Sequence, residues 1–112
     1  MLRYLKGTKD LKLQFSRASA EPLLGYVDAD HGRDVESWKS TTGFIFQVYG
    51  CNVVWCSRKQ CTVLLSSTEA EYIASSLATC QATEIKAALD DLMTPFVLPI
   101  KLYTVRKAII MI

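Results

Sequence analysis

The segment SSTEAEYIASSLATCQATEIKAALDDL, Ser66 to Leu92, decides how the rest of the chain is read. Apolar or small residues recur at Ala70, Ile73, Ala74, Leu77, Ala78, Ile85, Ala88, Leu89 and Leu92, the i, i+3, i+4, i+7 spacing of an amphipathic helix. Its start is signalled twice. Thr68 with Glu71, and Ser66 with Glu69 one turn earlier, each place a hydroxyl three residues ahead of a glutamate, as a capping box requires. Glu71 then falls at the edge of the buried face, one turn before Ser75, where a carboxylate needs a polar partner or a metal.

Outward from this helix toward the N-terminus, Asn52 to Ser57 and Thr41 to Tyr49 are runs rich in β-branched and aromatic residues, separated by Gly50-Cys51. So short a connection predicts an antiparallel hairpin. LLGYVD, Leu23 to Asp28, is apolar on both faces and so predicts a strand near the middle of a sheet, running into a polar loop with Asp28, Asp30, His31 and Asp34. Ser16 to Pro22 reads as a linker. Arg3 to Leu5 reads as the end of a helix with Gly7 as its C-cap, and Leu11 to Phe15 as a strand. On the other side, Pro95 and Pro99 bracket a connection to Ile100–Ile112, read as a strand to Val105 that leads into the first turn of another helix. The order strand, strand, strand, helix, strand predicts an α/β domain: a mixed sheet with antiparallel strands 1–3, a crossover helix and a parallel strand 4.

Composition narrows the class. A chain of 112 residues with 50% hydrophobic and 21% charged residues makes one globular domain. A net charge of +2 names no partner. Arg3, Lys6, Lys9 and Lys12 interrupt the N-terminus, so no signal-peptide core is present, and no run approaches the roughly 20 apolar residues of a membrane span. The expectation is an intracellular protein with no membrane partner. Cys51, Cys56, Cys61 and Cys80 form no C-x-x-C pair, and His31 is the single histidine, so a zinc site is not supported. Reduced cysteines, mostly in the core, are expected.

Asp28 ends a strand read as buried, and Glu71 lies near the start of a helix able to pack across it. Two carboxylates in a partly dry site repel unless a cation neutralises them. Oxygen-only ligands suit Mg²⁺ or Mn²⁺. From spacing alone, another reading stands beside this one and is the commoner for an arbitrary chain: Asp28 and Asp30 cap a turn, and Glu71 belongs to a capping box.

The segments RYLKGTKDLKLQF, GYVDADHGRD, KSTTGFIF, VVWCSRKQ and SSTEAEYIA, in this order and spacing, resemble the ribonuclease H domain of the Pol polyprotein of copia-type LTR retrotransposons. The resemblance runs from Arg3 to about Tyr103. It implies a ribonuclease H-like mixed sheet of five strands flanked by helices, and Mg²⁺- or Mn²⁺-dependent hydrolysis of the RNA strand of an RNA/DNA hybrid. It implies that Asp28 and Glu71 are the catalytic, metal-binding carboxylates. Glu69, Asp30 and Asp34 share their motifs and read as capping or loop residues. The resemblance also allows Arg58, Lys59 and Gln60 to touch nucleic acid, although a solvated loop explains them as well. It makes residues 1–15 the tail end of the reverse transcriptase connection segment and residues 16–112 a truncated ribonuclease H-like domain. The implied partners are an RNA/DNA hybrid and a reverse transcriptase domain, with no small-molecule cofactor, in the cytoplasm or in virus-like particles.

Two departures qualify this. His31 stands where the family has tryptophan. More important, LYTVRKAI, Leu102 to Ile109, replaces the family's LYCDNQSAI, so Val105 occupies the place of the aspartate that is the third metal ligand. Valine cannot ligate a metal. The sequence also stops at Ile112, ahead of the family's last carboxylate, which makes the domain incomplete at its C-terminus. The expected outcome is a decayed nuclease with little activity; a non-catalytic module binding nucleic acid or reverse transcriptase, and a remnant without function, are the alternatives. Trp38, Trp55, Phe44, Phe46 and Tyr72 read as core or sheet-surface aromatics rather than base-stacking platforms.

Overall fold

A computed structural model describes all residues except 20, 33–35, 64–65, 93–98, 105–107 and 112, with backbone only for 108–111. The element order is α1 (Leu2–Thr8), β1 (Leu23–Asp30), β2 (Thr41–Val48), β3 (Cys51–Lys59), α2 (Ser67–Asp91), β4 (Ile100–Tyr103) and β5 (Ala108–Met111). The strands form one mixed sheet in the order β3-β2-β1-β4-β5. β1 is its middle strand, antiparallel to β2 and parallel to β4. The α/β class, the hairpin and the parallel fourth strand all follow the sequence reading.

The hairpin turns one residue earlier than expected, at Tyr49-Gly50, where φ is +47° and +79°. Positive φ at both central residues is what a two-residue hairpin with the sheet's right-handed twist requires. Glycine meets that demand at Gly50 without strain, whereas Tyr49 adopts it against its own preference. An extra residue, Val53, bulges β3 between the Phe46↔Val54 and Gln47↔Asn52 pairs.

α2 starts where the second of the two signals put it. Ser66 is the N-cap: its side chain accepts a hydrogen bond from the Glu69 backbone N–H at 3.2 Å, and Glu69 places a carboxylate in the first turn, where the helix dipole favours it. Ser66→Ala is therefore expected to cost about 0.5–2 kcal/mol of stability in a urea melt. Thr68→Ala, outside the cap, is expected to cost much less.

The helix lays Ala70, Ala74, Ala78 and Ala82 on the sheet, each at most 1% exposed. This i, i+4 row of methyl groups lets the helix approach β1 closely. Alternation along the strands puts Leu23, Val27, Phe46, Val48, Ile100 and Leu102 on that side, and they complete the core with Ile85. The other face of the sheet carries a cross-strand row, Trp55–Ile45–Tyr26–Tyr103, in which the two tyrosine rings stack 5.7 Å apart. Among the described residues no helix covers it.

Several expectations are corrected. The C-terminal run is not a strand leading into a helix: β4 ends at Tyr103, and Ala108–Met111 returns as an antiparallel strand beside it. A short apolar run carries too little periodicity to distinguish the two. Gly7 lies within α1 rather than capping it, Lys9 ends that helix in a right-handed conformation, and Leu11–Phe15 is not a strand. The cysteines are free, but they are not mostly core: Cys51 is buried, Cys56 half-buried, and Cys61 and Cys80 exposed. Of the aromatics, Phe46 and Phe44 in the core and Trp55 on the sheet surface are as expected, while Trp38 and Tyr72 are exposed outside the sheet.

Candidate functional site

β4 pairs with β1 only over Leu24–Tyr26, so the second half of β1 runs past the end of its parallel neighbour. In an open sheet, parallel strands that diverge leave a crevice at their carboxyl ends, which is where such folds bind ligands. The first turns of α2 pass over this point. Asp28 of β1, Glu71 of α2 and Thr104, just after β4, line one crevice there together with Ser75. The helical spacing that put Glu71 at the edge of the buried face is what brings it to the carboxyl end of β1.

The crevice is narrow, about 10 Å³, close to the room that one water molecule's centre needs. Asp28 is exposed and Glu71 half-buried. Asp28 Oδ1 also accepts the Ala29 backbone N–H at 2.9 Å. Two hydroxyls, Ser75 and Thr104, were not anticipated as site residues. Ser75 was within reach of sequence reasoning, one turn from Glu71. Thr104 required knowing where β4 ends.

A divalent ion of the Mg²⁺ type is commonly held by one or two carboxylates, with water and substrate filling the remaining positions. Asp28 and Glu71 meet that minimum. Among the described residues no group of three or more His, Cys, Asp or Glu side chains could hold a metal. Val105, Arg106 and Asp34 lie outside the described residues.

The other candidates lie elsewhere. Asp30 and Glu69 are exposed, with Glu69 in the α2 cap. His31 is exposed, and its Nδ1 lies 3.3 Å from the Ser40 hydroxyl. Arg58 and Lys59 are not in a loop after β3 but in its last two positions, exposed and paired with Thr42 and Thr41. Alternation turns them to opposite faces of the sheet, so they form no continuous basic patch. Gln60 is 5% exposed. Its Nε2 donates to Thr42 Oγ1 and to the Ala70 carbonyl, both at 3.0 Å, and its backbone N–H donates to the Ser40 carbonyl at 2.8 Å. It thus ties the end of β3 to β2 and to the first turn of α2. Away from the crevice, Lys101 Nζ pairs with Glu21. That hydrogen bond, reinforced by the carboxylate's charge, holds Lys101 above its ordinary pKa.

No helix among the described residues is long and apolar enough to cross a membrane. No protein-family model matches the chain, and no solved structure does. Sequence relatives are found. The chain is 52% identical over 82 residues to a protein named secreted RxLR effector protein 161 of Plasmopara viticola, an alignment covering 73% of this chain and 58% of that protein. It is 41% identical over 93 residues to the retrovirus-related Pol polyprotein from transposon TNT 1-94 of Nicotiana tabacum, covering 82% of this chain and 7% of the polyprotein. It is 40% identical over 72 residues to the Pol polyprotein from transposon RE2 of Arabidopsis thaliana, covering 64% and 5%. The chain thus spans little more than half of the effector and a small part of each polyprotein, and the similarity to the polyproteins supports a retrotransposon-derived protein.

Proposed function

We propose that the chain is a ribonuclease H-like domain descended from a copia-type retrotransposon polyprotein. Its ancestral reaction is hydrolysis of the RNA strand of RNA/DNA hybrids, and it no longer performs that reaction at an appreciable rate. The observation that carries this reading is the meeting of Asp28 and Glu71 in one crevice at the carboxyl end of two parallel strands. Similarity at 40–41% identity to Pol polyproteins supports it, as do the motifs around both residues. On this reading residues 1–15 are the tail of a reverse transcriptase connection segment, and the hybrid and the reverse transcriptase are the partners.

Asp28 and Glu71 are the residues that would hold Mg²⁺ or Mn²⁺. When bound, such an ion supplies positive charge beside the scissile phosphate and makes its water more acidic. The chain's own part is to hold the two carboxylates in place: β1 is fixed by strands on both sides, and α2 by its alanine row against the sheet. Val105, where the family has an aspartate, removes one negative charge from a site that must concentrate positive charge, and the ion is then held weakly.

The test is cleavage of a labelled RNA/DNA hybrid in Mg²⁺ or Mn²⁺ by the chain, by Val105→Asp, and by Val105→Asp carrying Glu71→Gln. The unmodified chain is expected near background, Val105→Asp about 100-fold or more above it, and the double variant back at background. Cleavage by the unmodified chain that Glu71→Gln abolishes would show that the activity was never lost. A folded Val105→Asp that neither cleaves nor binds the hybrid would refute the nuclease descent. A second reading, a non-catalytic module, draws on the 52% identity to a protein named as an effector; hybrid binding without cleavage by any folded variant would favour it.

A further inference from the structure

α1 has no reason to be helical on its own. It is seven residues long, has no side-chain cap and buries none of its residues, whereas an isolated helix shorter than about 12 residues is marginal in water even with a favourable sequence. The segment continues as an arm to Phe15, which shares a pocket with Tyr49. Leu2, Tyr4, Leu5, Leu11, Leu13 and Phe15 are all more than half exposed, an apolar surface larger than scattered side chains explain. The chain's radius of gyration is 16.2 Å, against about 13 Å for a compact domain of this length.

Charge is divided between the arm and the helix. Residues 1–15 hold Arg3, Lys6, Lys9 and Lys12 against Asp10 alone, while α2 holds Glu69, Glu71, Glu84, Asp90 and Asp91 against Lys86 alone. Three of those carboxylates, Glu84, Asp90 and Asp91, lie exposed in its last three turns. Topology brings the two regions to the same end of the molecule. The arm is tied down by the Ser16 N–H donating to the Tyr49 carbonyl, at the β2–β3 turn. α2 starts at the opposite end, where Gln60 joins it to Thr42, and must finish beside the start of β4, which pairs with the start of β1. Its acidic end also exposes Leu92.

We propose that the arm docks on the acidic C-terminal half of α2 in a second copy of this chain, and that two copies exchange arms across a two-fold axis. Because each copy carries both halves of the contact at one end, a single rotation satisfies both and closes the assembly. The apolar residues favour a protein surface over nucleic acid, and the acidic helix supplies the complementary charge. The proposal does not require nuclease activity, but it competes with the reading of residues 1–15 as a reverse transcriptase segment for the same surface.

Sedimentation equilibrium of the full chain over a range of concentrations tests it. A reversible dimer is expected that weakens between 0.05 and 0.5 M salt. Lys6→Glu/Lys9→Glu and Glu84→Lys/Asp91→Lys should each raise the dimer dissociation constant at least tenfold. Mixing the two variants should restore association, because each reversed arm then meets a reversed helix while each native arm meets a native one. All four positions are at the surface, and thermal melts check that both variants fold. A monomer at every concentration would overturn the proposal, as would a dimer indifferent to both reversals or a mixture that fails to associate. So would a monomer whose arm binds anionic vesicles or an RNA/DNA hybrid.

Discussion

Phe46→Ala is expected to lower the free energy of unfolding by about 3–5 kcal/mol, measured by urea or thermal denaturation. Phe46 is 0% exposed and faces α2 from β2, opposite Gly25 on one side and Val54 on the other. The Phe44 ring meets it edge-on, with centroids 5.8 Å apart. The size of the loss depends on whether neighbours can close the gap. Gly25 has no side chain to move in, and the helix above offers the short methyl groups of Ala74 and Ala78. The ring therefore supplies volume that nothing else on this side of the sheet can replace, and most of the cavity should persist. In a domain whose total stability is about 5–15 kcal/mol, such a loss is a third or more of the whole. Phe46→Leu, which keeps four of the side-chain carbons, should lose a much smaller share. A Phe46→Ala loss below about 1 kcal/mol would mean that α2 settles onto the sheet and that its alanine row is less fixed than the packing suggests.

The elements legible in the sequence were those whose information is local. The α2 periodicity runs over seven turns, and a helix of that length is hard to mistake for anything else. The central place of β1 followed from apolar residues on both of its faces, and the hairpin from the short gap between two β-rich runs. What failed depended on distant contacts. Ile100–Ile112 is too short for its period to separate strand from helix, and its Ala108–Met111 part becomes β5 because β4 offers an open edge. Gln60 follows Arg58 and Lys59, so its position in the chain suggests a polar surface. In the fold it turns inward, where its amide donates to Thr42 and to the Ala70 carbonyl.

The crevice divides in the same way. Asp28 and Glu71 could be named because a strand end and a helix start are readable one at a time, and a right-handed crossover brings such ends together. Ser75 was not named as a site residue, although helical spacing from Glu71 was enough to find it. Thr104 could not be found, because its place depends on β4 stopping two residues after its pairing with β1 begins. The arm's exposure was also invisible in the sequence: Leu2, Leu5 and Phe15 look like core residues until the fold supplies no core for them.

Gly25→Val is expected to destabilise the domain by about 3 kcal/mol, the upper end of the usual overpacking range. The sign is not obvious, because replacing a strand glycine normally gains about 0.4–1 kcal/mol by restricting the unfolded chain. Gly25 also lies in regular β backbone, without the positive φ of Gly32 and Gly50, so the main chain would accept a side chain. Space decides the outcome. A Cβ at position 25 would fall 2.7 Å from Leu102 Cδ1 and 2.9 Å from Phe46 Cδ1, closer than carbon atoms can pack. Both neighbours are 0% exposed, so neither can swing into solvent, and valine adds two methyl groups beyond the Cβ. Relief must come from within the core. Leu102→Ala opens a space of about the needed size, and the double variant Gly25→Val/Leu102→Ala should be more stable than the sum of the two single losses by about 1 kcal/mol or more. The comparison also tests how β1 and β4 pack beside the crevice, since Gly25 and Leu102 are register partners in the parallel pair that ends one residue later. Strict additivity would mean that the strain is absorbed by α2 lifting away from β1, which would move Glu71 away from Asp28 as well.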